Sequence, residues 1–176
     1  MRLLAYLLLA ATLAAPSLSS SEVRGWRDPL SGTEPSRAGE WPLAPRPRVV
    51  SGFDPPATRW GAGHRGVDLI GHAGQRVRSS LRGTVTFAAP LAGRGVVVVD
   101  HGGVRTTYEP VSAAVQVGDS VGAGGVLGTL QLASSHCFPR ACLHWGLRRG
   151  ESYLNPLTLV GAGPLRLLPF AGMQLP

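Results

Sequence analysis

The chain has 176 residues, 44% of them hydrophobic and 15% charged, which excludes an extended disordered chain and fits one packed domain with a terminal segment to spare. Its 24 glycines and 15 prolines favour short strands and tight turns over long helices. The net charge is +7 and all 17 basic residues are arginine, but Arg148 and Arg149 form the only adjacent pair, so neither a basic helix nor a nucleic-acid motif is present. That charge suits a basic protein kept soluble by it, with attraction to an anionic envelope polymer or membrane surface as the alternative.

Residues 1–19 read as an export signal. Arg2 supplies the positive start, and Leu3 to Ala15 form an apolar run too short to span a bilayer. Ser17-Leu18-Ser19 offers the small-x-small pattern for cleavage near Ser19, and no Cys follows to carry a lipid anchor. The mature chain is therefore expected to be secreted or held in the cell envelope, with no stable transmembrane segment. Residues 20–40 mix Ser, Pro, Arg and Gly without periodicity and read as a linker. The domain is expected over residues 41–162, with residues 163–176 as a tail.

Short strands follow one another from Val49. Val49 and Val50 open an apolar stretch that Phe53-Asp54-Pro55-Pro56 ends. A loop over Gly61 to Gly66 precedes a buried strand, Val67-Asp68-Leu69-Ile70. Gly83 to Ala88 alternates, and Gly95 to Asp100 carries four valines. The His101-Gly102-Gly103 turn leads back along Val104 to Tyr108, a natural hairpin. Val115 to Asp119, Val126 to Leu130, Cys142 to Leu147 and Leu157 to Val160 continue the series. No amphipathic helix pattern of useful length occurs. The expected fold is all-β, a single small domain of antiparallel sheets forming a sandwich or an open barrel.

Export gives the two cysteines a meaning. Cys137 and Cys142 are five positions apart, and an even count at close range in an oxidising compartment reads as a disulfide that holds a loop in shape. The alternative is a pair of thiolate metal ligands.

Two residues are chemically out of place in their strands. Asp68 lies between Val67 and Leu69, and burying a carboxylate there is costly unless a cation or several donors meet it. His144 repeats the anomaly within Cys142-Leu143-His144-Trp145-Gly146. With His64, four positions before Asp68, these side chains make two imidazoles and one carboxylate, the donor set of an open zinc site with a fourth position for water.

The order of segments resembles the lysostaphin/LytM-type zinc endopeptidases that cut peptidoglycan cross-links, a family with a β core called the duplicated hybrid motif. The matching pieces are Gly63-His64-Arg65-Gly66-Val67-Asp68-Leu69, Gly83-Thr84-Val85, Asp100-His101-Gly102-Gly103 leading to Thr107-Tyr108, Val117-Gly118-Asp119-Ser120-Val121 with Gly128, Leu143-His144-Trp145-Gly146-Leu147-Arg148, and Asn155-Pro156-Leu157. They cover roughly Val49 to Val160. The resemblance implies that His64, Asp68 and His144 hold Zn2+ and that peptidoglycan or its stem peptides are the substrate.

Two departures stand against it. The family's His-x-His pattern has Cys142 at its first position, and its Tyr-x-His pattern reads Tyr108-Glu109-Pro110. In the family those two histidines assist the attacking water and the developing oxyanion. Cys142 and His144, two apart on one strand, share a face. A Cys137–Cys142 disulfide would fasten His136 at the rim of the site, which makes His136 the candidate for a relocated acid–base residue. Glu109 is a weaker candidate, expected on the face opposite Tyr108. Tyr108 itself fits either the site or the core. His72 and His101 are assigned no chemistry. Trp26, Trp41, Trp60 and Trp145 could line a groove, with Trp145 expected to point away from His144 into the core.

Three functions follow: a secreted zinc metalloendopeptidase acting on peptidoglycan peptides, a catalytically degenerate domain that keeps the metal site and binds cell wall or regulates a hydrolase, or an envelope protein whose His and Asp serve folding alone. An envelope partner protein is compatible with the second.

Overall fold

The computed structural model describes residues 39–58 and 60–162, all within one compact unit. The expected export signal, nearly all of the linker and the tail lie outside the described residues, and so does Trp26.

The strands are β1 (Val49–Ser51), β2 (Gly66–Ile70), β3 (Arg76–Arg78), β4 (Gly83–Leu91), β5 (Arg94–Asp100), β6 (Arg105–Glu109), β7 (Val111–Ala113), β8 (Ser120–Val121), β9 (Val126–Leu130), β10 (Cys142–Arg149) and β11 (Ser152–Leu154). They build two antiparallel sheets. The larger runs β1-β2-β10-β6-β5-β4-β8, with β11 paired to β10, and the smaller runs β3-β9-β7. Neither closes into a barrel, and the fold is all-β with antiparallel sheets, as expected. No helix among the described residues is long and apolar enough to cross a membrane.

The core draws on both sheets. Val67 and Leu69 of β2, Val97 and Val99 of β5, Tyr108 of β6, and Leu143 and Trp145 of β10 are fully buried. They form one cluster with Val77, Val111, Leu127 and Leu130 of the smaller sheet. Burying each such side chain contributes about 1.5–3 kcal/mol. Trp41 packs on Trp145, with ring centroids 6.4 Å apart, while Trp60 is exposed. The aromatic groove suggested by the four tryptophans is therefore not formed by these two buried or packed rings.

Two expected strands are absent. Val115 to Asp119 is a turn: Gly118 takes a positive φ of 97° and the Asp119 carboxylate accepts the Gln116 N–H, a local bond that competes with a ladder. Leu157 to Val160 belongs to a 3-10 helix, Pro156–Val160, because the Asn155 side chain caps the Leu157 N–H and Pro156 sits in the first turn. Strands β3 and β11, each of three residues, show too little alternation to be read in advance.

Candidate metal centre

The site is laid out by the register of β2 and β10. Asp68 pairs with His144 across the two strands, and Gly66 pairs with Gly146. Their neighbours Val67, Leu69, Leu143 and Trp145 point into the core, so strand alternation sends Asp68 and His144 to the opposite face. The His144 ring lies over Gly66: a Cβ there would come 2.7 Å from His144 Nε2 and 2.5 Å from the Trp145 carbonyl oxygen. Only glycine leaves room for that ring.

His64 enters from the loop before β2. Its backbone exchanges two hydrogen bonds with Asp54, Asp54 N to His64 O at 3.0 Å and His64 N to Asp54 O at 2.5 Å. Its Nδ1 donates to the Gly52 carbonyl at 2.5 Å and lies 3.2 Å from Ser51 Oγ. That contact places the proton on Nδ1 and turns the Nε2 lone pair inward. Gly52 and Ser51 were not singled out from sequence, since a backbone carbonyl leaves no mark on residue type.

Three ligand atoms converge. His64 Nε2 is 3.2 Å from Asp68 Oδ1 and 3.0 Å from His144 Nδ1, and His144 Nδ1 is 2.9 Å from Asp68 Oδ1. His136 Nδ1 lies 3.3 Å from the same Oδ1. The four atoms offered by His64, Asp68, His136 and His144 all lie within 4.8 Å of one another. Burial raises the Asp68 pKa, but the His144 hydrogen bond and the charges of His144, His64 and His136 outweigh it and hold the carboxyl below its ordinary value.

This donor set fits a divalent cation. With His64 Nε2 and Asp68 Oδ1 both presenting lone pairs, one proton on His144 Nδ1 is shared between two acceptors, whereas a central cation satisfies all three atoms together. Ligands at zinc bond lengths around a tetrahedral ion stand about 3.3 Å apart, close to the separations seen.

His136 reaches the cluster on the loop between β9 and β10. The Cys137–Cys142 disulfide is formed and closes that loop onto the first residue of β10. Ser135 secures it further: its Oγ accepts the Cys142 N–H at 2.9 Å and the Cys137 N–H at 3.2 Å, and donates to the Arg140 carbonyl at 3.0 Å. The His136 ring centroid is then 5.0 Å from that of His144. Of the imidazoles at the site, His136 is the most accessible, at 35% against 20% for His64 and 12% for His144. Ser135 was not foreseen; an isolated serine in a loop carries no distinguishing pattern.

The structure places Tyr108 in the core. It is fully buried, and its hydroxyl oxygen accepts the Ser80 N–H at 2.8 Å and lies 2.9 Å from Thr106 Oγ1. The face opposite Tyr108 is therefore the site face. Glu109 occupies it in direct register with His144, and Arg94 Nε holds its carboxylate at 2.9 Å. A groove of about 610 Å³ runs from His144 along this face, lined by Glu109, Arg94, Thr107, Arg105, Arg65 and Tyr153 among others. His72 is exposed on a turn, and His101 is held away from the site by Arg82 O and Thr106 Oγ1 at 2.9 and 2.8 Å.

The profile of Peptidase family M23 matches residues 62–156, more than half of the chain, and includes every residue of this cluster. The chain belongs to Peptidase family M23. The resemblance to lysostaphin/LytM-type enzymes is thereby borne out. Uncharacterized protein Rv2891 of Mycobacterium tuberculosis is 46% identical over 151 residues, covering 81% of this M23 chain and 61% of its own. The chain thus spans less than two thirds of that relative. A zinc containing peptidase from Vibrio cholerae superposes with a TM-score of 0.58 at 21% identity, covering 69% of this chain and 40% of its own. Lysostaphin superposes with a TM-score of 0.58 at 22% identity, over 78% of this chain and 61% of its own. At these identities the two likenesses carry the M23 fold alone.

Proposed function

We propose that this M23 domain is an exported zinc endopeptidase that cuts peptide bonds in peptidoglycan stems or cross-links. The observation that carries the reading is the convergence of His64 Nε2, Asp68 Oδ1 and His144 Nδ1 from a loop and two strands. Two imidazoles and one carboxylate with an open fourth position are the donor set that supports zinc as that ion. His64, Asp68 and His144 would hold it; bound there, it supplies Lewis-acid polarisation of a carbonyl and a water acidified to a pKa of about 7.

The protein's own residues do the rest. Gly52 fixes the tautomer of His64, and Asp68 keeps its negative charge across the working range of pH. The rigid ladder between β2 and β10 sets the direction of Asp68 and His144. His136, tethered by the disulfide and open to solvent, takes the proton from the attacking water and passes it to the leaving amine. Acid–base help of this kind contributes about 10²–10⁴-fold.

The test is to load the protein with zinc, incubate it with purified peptidoglycan and count new amino termini. Release by the parent and none by His144→Ala is the expected result. A folded, zinc-loaded parent that releases none would overturn the peptidase reading, and retained wall binding would then favour a binding role.

A further inference from the structure

The far end of the groove carries a charge arrangement that the fold does not need. Arg105 of β6 and Arg148 of β10 are direct cross-strand partners on the site face. Like charges placed opposite one another destabilise a sheet. Glu151 offsets Arg148, with Arg148 Nη2 2.5 Å from its Oε1. Arg148 Nε is nevertheless buried with no hydrogen-bond partner. Arg105 is half-buried and has no ion pair among the described residues. Its other cross-strand partner, Asp100, turns its Oδ1 to the Gly102 N–H at 2.8 Å instead.

Arg105 lines the groove itself, while Arg148 lines the adjoining pocket, and Tyr153 and Arg65 form the wall common to both. The guanidinium carbons of Arg65 and Arg148 lie 5.6 and 5.5 Å from the Tyr153 ring centroid. Toward the candidate metal centre the charges are balanced, because Arg94 is taken by Glu109. Between the two ends Thr107 lines the groove, and a Cβ at its cross-strand partner Gly146 would collide with Thr107 Oγ1. The floor is open, and its positive charge is concentrated at one end.

We infer that Arg105, assisted by Arg148, binds a carboxylate of the peptide laid in this groove, so that the protein selects stems carrying a free acid over their amides. The inference rests on the peptidase reading for the position of the scissile bond. Arg105 and Arg148 stand four residues along their strands from Glu109 and His144, about 13 Å at the rise of a β-strand. An extended peptide covers that span in about four residues, which places the recognised carboxylate that far from the bond at the metal centre. The planar guanidinium matches a carboxylate with two parallel hydrogen bonds, which an amide cannot accept in the same way.

The test uses fluorescently labelled, cross-linked stem peptides released from peptidoglycan, either with free carboxylates or after conversion of those groups to amides. Binding to the full zinc-loaded chain is measured for the parent, Arg105→Gln, Arg105→Lys and Arg76→Gln, the last an exposed arginine of the other sheet. The parent and Arg76→Gln are expected to bind the acid about tenfold more tightly than the amide. The ratio should fall to near one in Arg105→Gln and lie between in Arg105→Lys, with zinc content unchanged. Relief of the opposed charges should also raise the Tm of Arg105→Gln without peptide. Equal binding of acid and amide by the parent, binding of neither, a ratio kept by Arg105→Gln, or a lowered Tm in that variant overturns the inference. New amino termini are scored separately, so a chain that discriminates acid from amide without cutting removes the peptidase reading alone.

Discussion

Asp68 and His144 face each other in register across β2 and β10, with Oδ1 2.9 Å from Nδ1, although 76 residues separate them in the chain. The ladder that joins their backbones is the same one that buries Val67, Leu69, Leu143 and Trp145. In the proposed zinc site, metal affinity would therefore be coupled to sheet register. His144→Ala and Asp68→Asn are each expected to lower zinc content from about one per chain to near zero on dialysis, with the β circular dichroism retained. Elemental analysis after dialysis checks this, and a variant that keeps its zinc would show that the atom it lost is not a ligand.

His136→Ala separates binding from turnover. His64, Asp68 and His144 are fixed by strands and by the Asp54 bridge, none of which involves the loop over residues 131–141. Zinc content is expected to stay at about one per chain while kcat/KM falls about 10²–10⁴-fold. Loss of zinc in this variant would make His136 a fourth ligand, a closed arrangement that suits a structural ion.

Gly66 gives a third prediction. Alanine there drives a methyl group against the Trp145 carbonyl and the His144 ring, at 2.5 and 2.7 Å before relaxation. The backbone cannot yield without breaking the pairing of β2 and β10, so the ring must leave. Overpacking of this kind costs about 1–3 kcal/mol. Gly66→Ala should show a lower Tm and weakened zinc binding. Gly122→Ala, which meets no atom within 4 Å, should show neither in the same thermal melts and zinc titrations.

Much of this was legible because the anomalies were chemical. A carboxylate between Val67 and Leu69, and an imidazole between Leu143 and Trp145, mark positions where strand alternation turns a polar group away from the core. The four valines of β5 and the Gly102-Gly103 turn likewise announced the hairpin that forms. Other features left no such signature. Local side-chain bonds at Asp119 and Asn155 overrode the apolar runs beside them, which is why Val115 to Asp119 and Leu157 to Val160 are not strands. The site face of β6 was left open by the sequence. Tyr108 suits either side of a sheet, and only its bond with the Ser80 N–H in the core shows that Glu109 is the residue facing His144.

The disulfide is expected to matter more for turnover than for the metal. Closing so short a loop contributes about 2 kcal/mol in the chain-entropy description. Replacing both cysteines by serine should lower stability by roughly that amount and leave the loop held by hydrogen bonds alone, those of Ser135 and of Ser134 Oγ to the Gly93 carbonyl among them. Zinc content should persist, because Asp68 and His144 are held by the sheet, while kcat/KM drops toward that of His136→Ala. Denaturant unfolding, elemental analysis and peptidoglycan digestion on one preparation check the three expectations together.

His101 supplies a pH dependence that is separate from the metal. Burial lowers its pKa, a change only partly offset by the Arg82 carbonyl and by Asp100, so the folded state favours the neutral ring. The unfolded chain then binds the proton first as pH falls. Above about pH 6.5 the ring is neutral in both states and folding carries no penalty from it. As pH drops below 6.5 the unfolded state takes up a proton that the folded state resists, and stability declines until the folded pKa is passed. His101→Gln should flatten that decline relative to the parent, although its Tm at neutral pH should fall because the contacts to Arg82 O and Thr106 Oγ1 are lost. Denaturant unfolding of both zinc-free proteins between pH 5 and 8 (a range set by the ordinary histidine pKa) measures the difference. Parallel curves for the two would mean that His101 is equally protonated in the folded and unfolded chain.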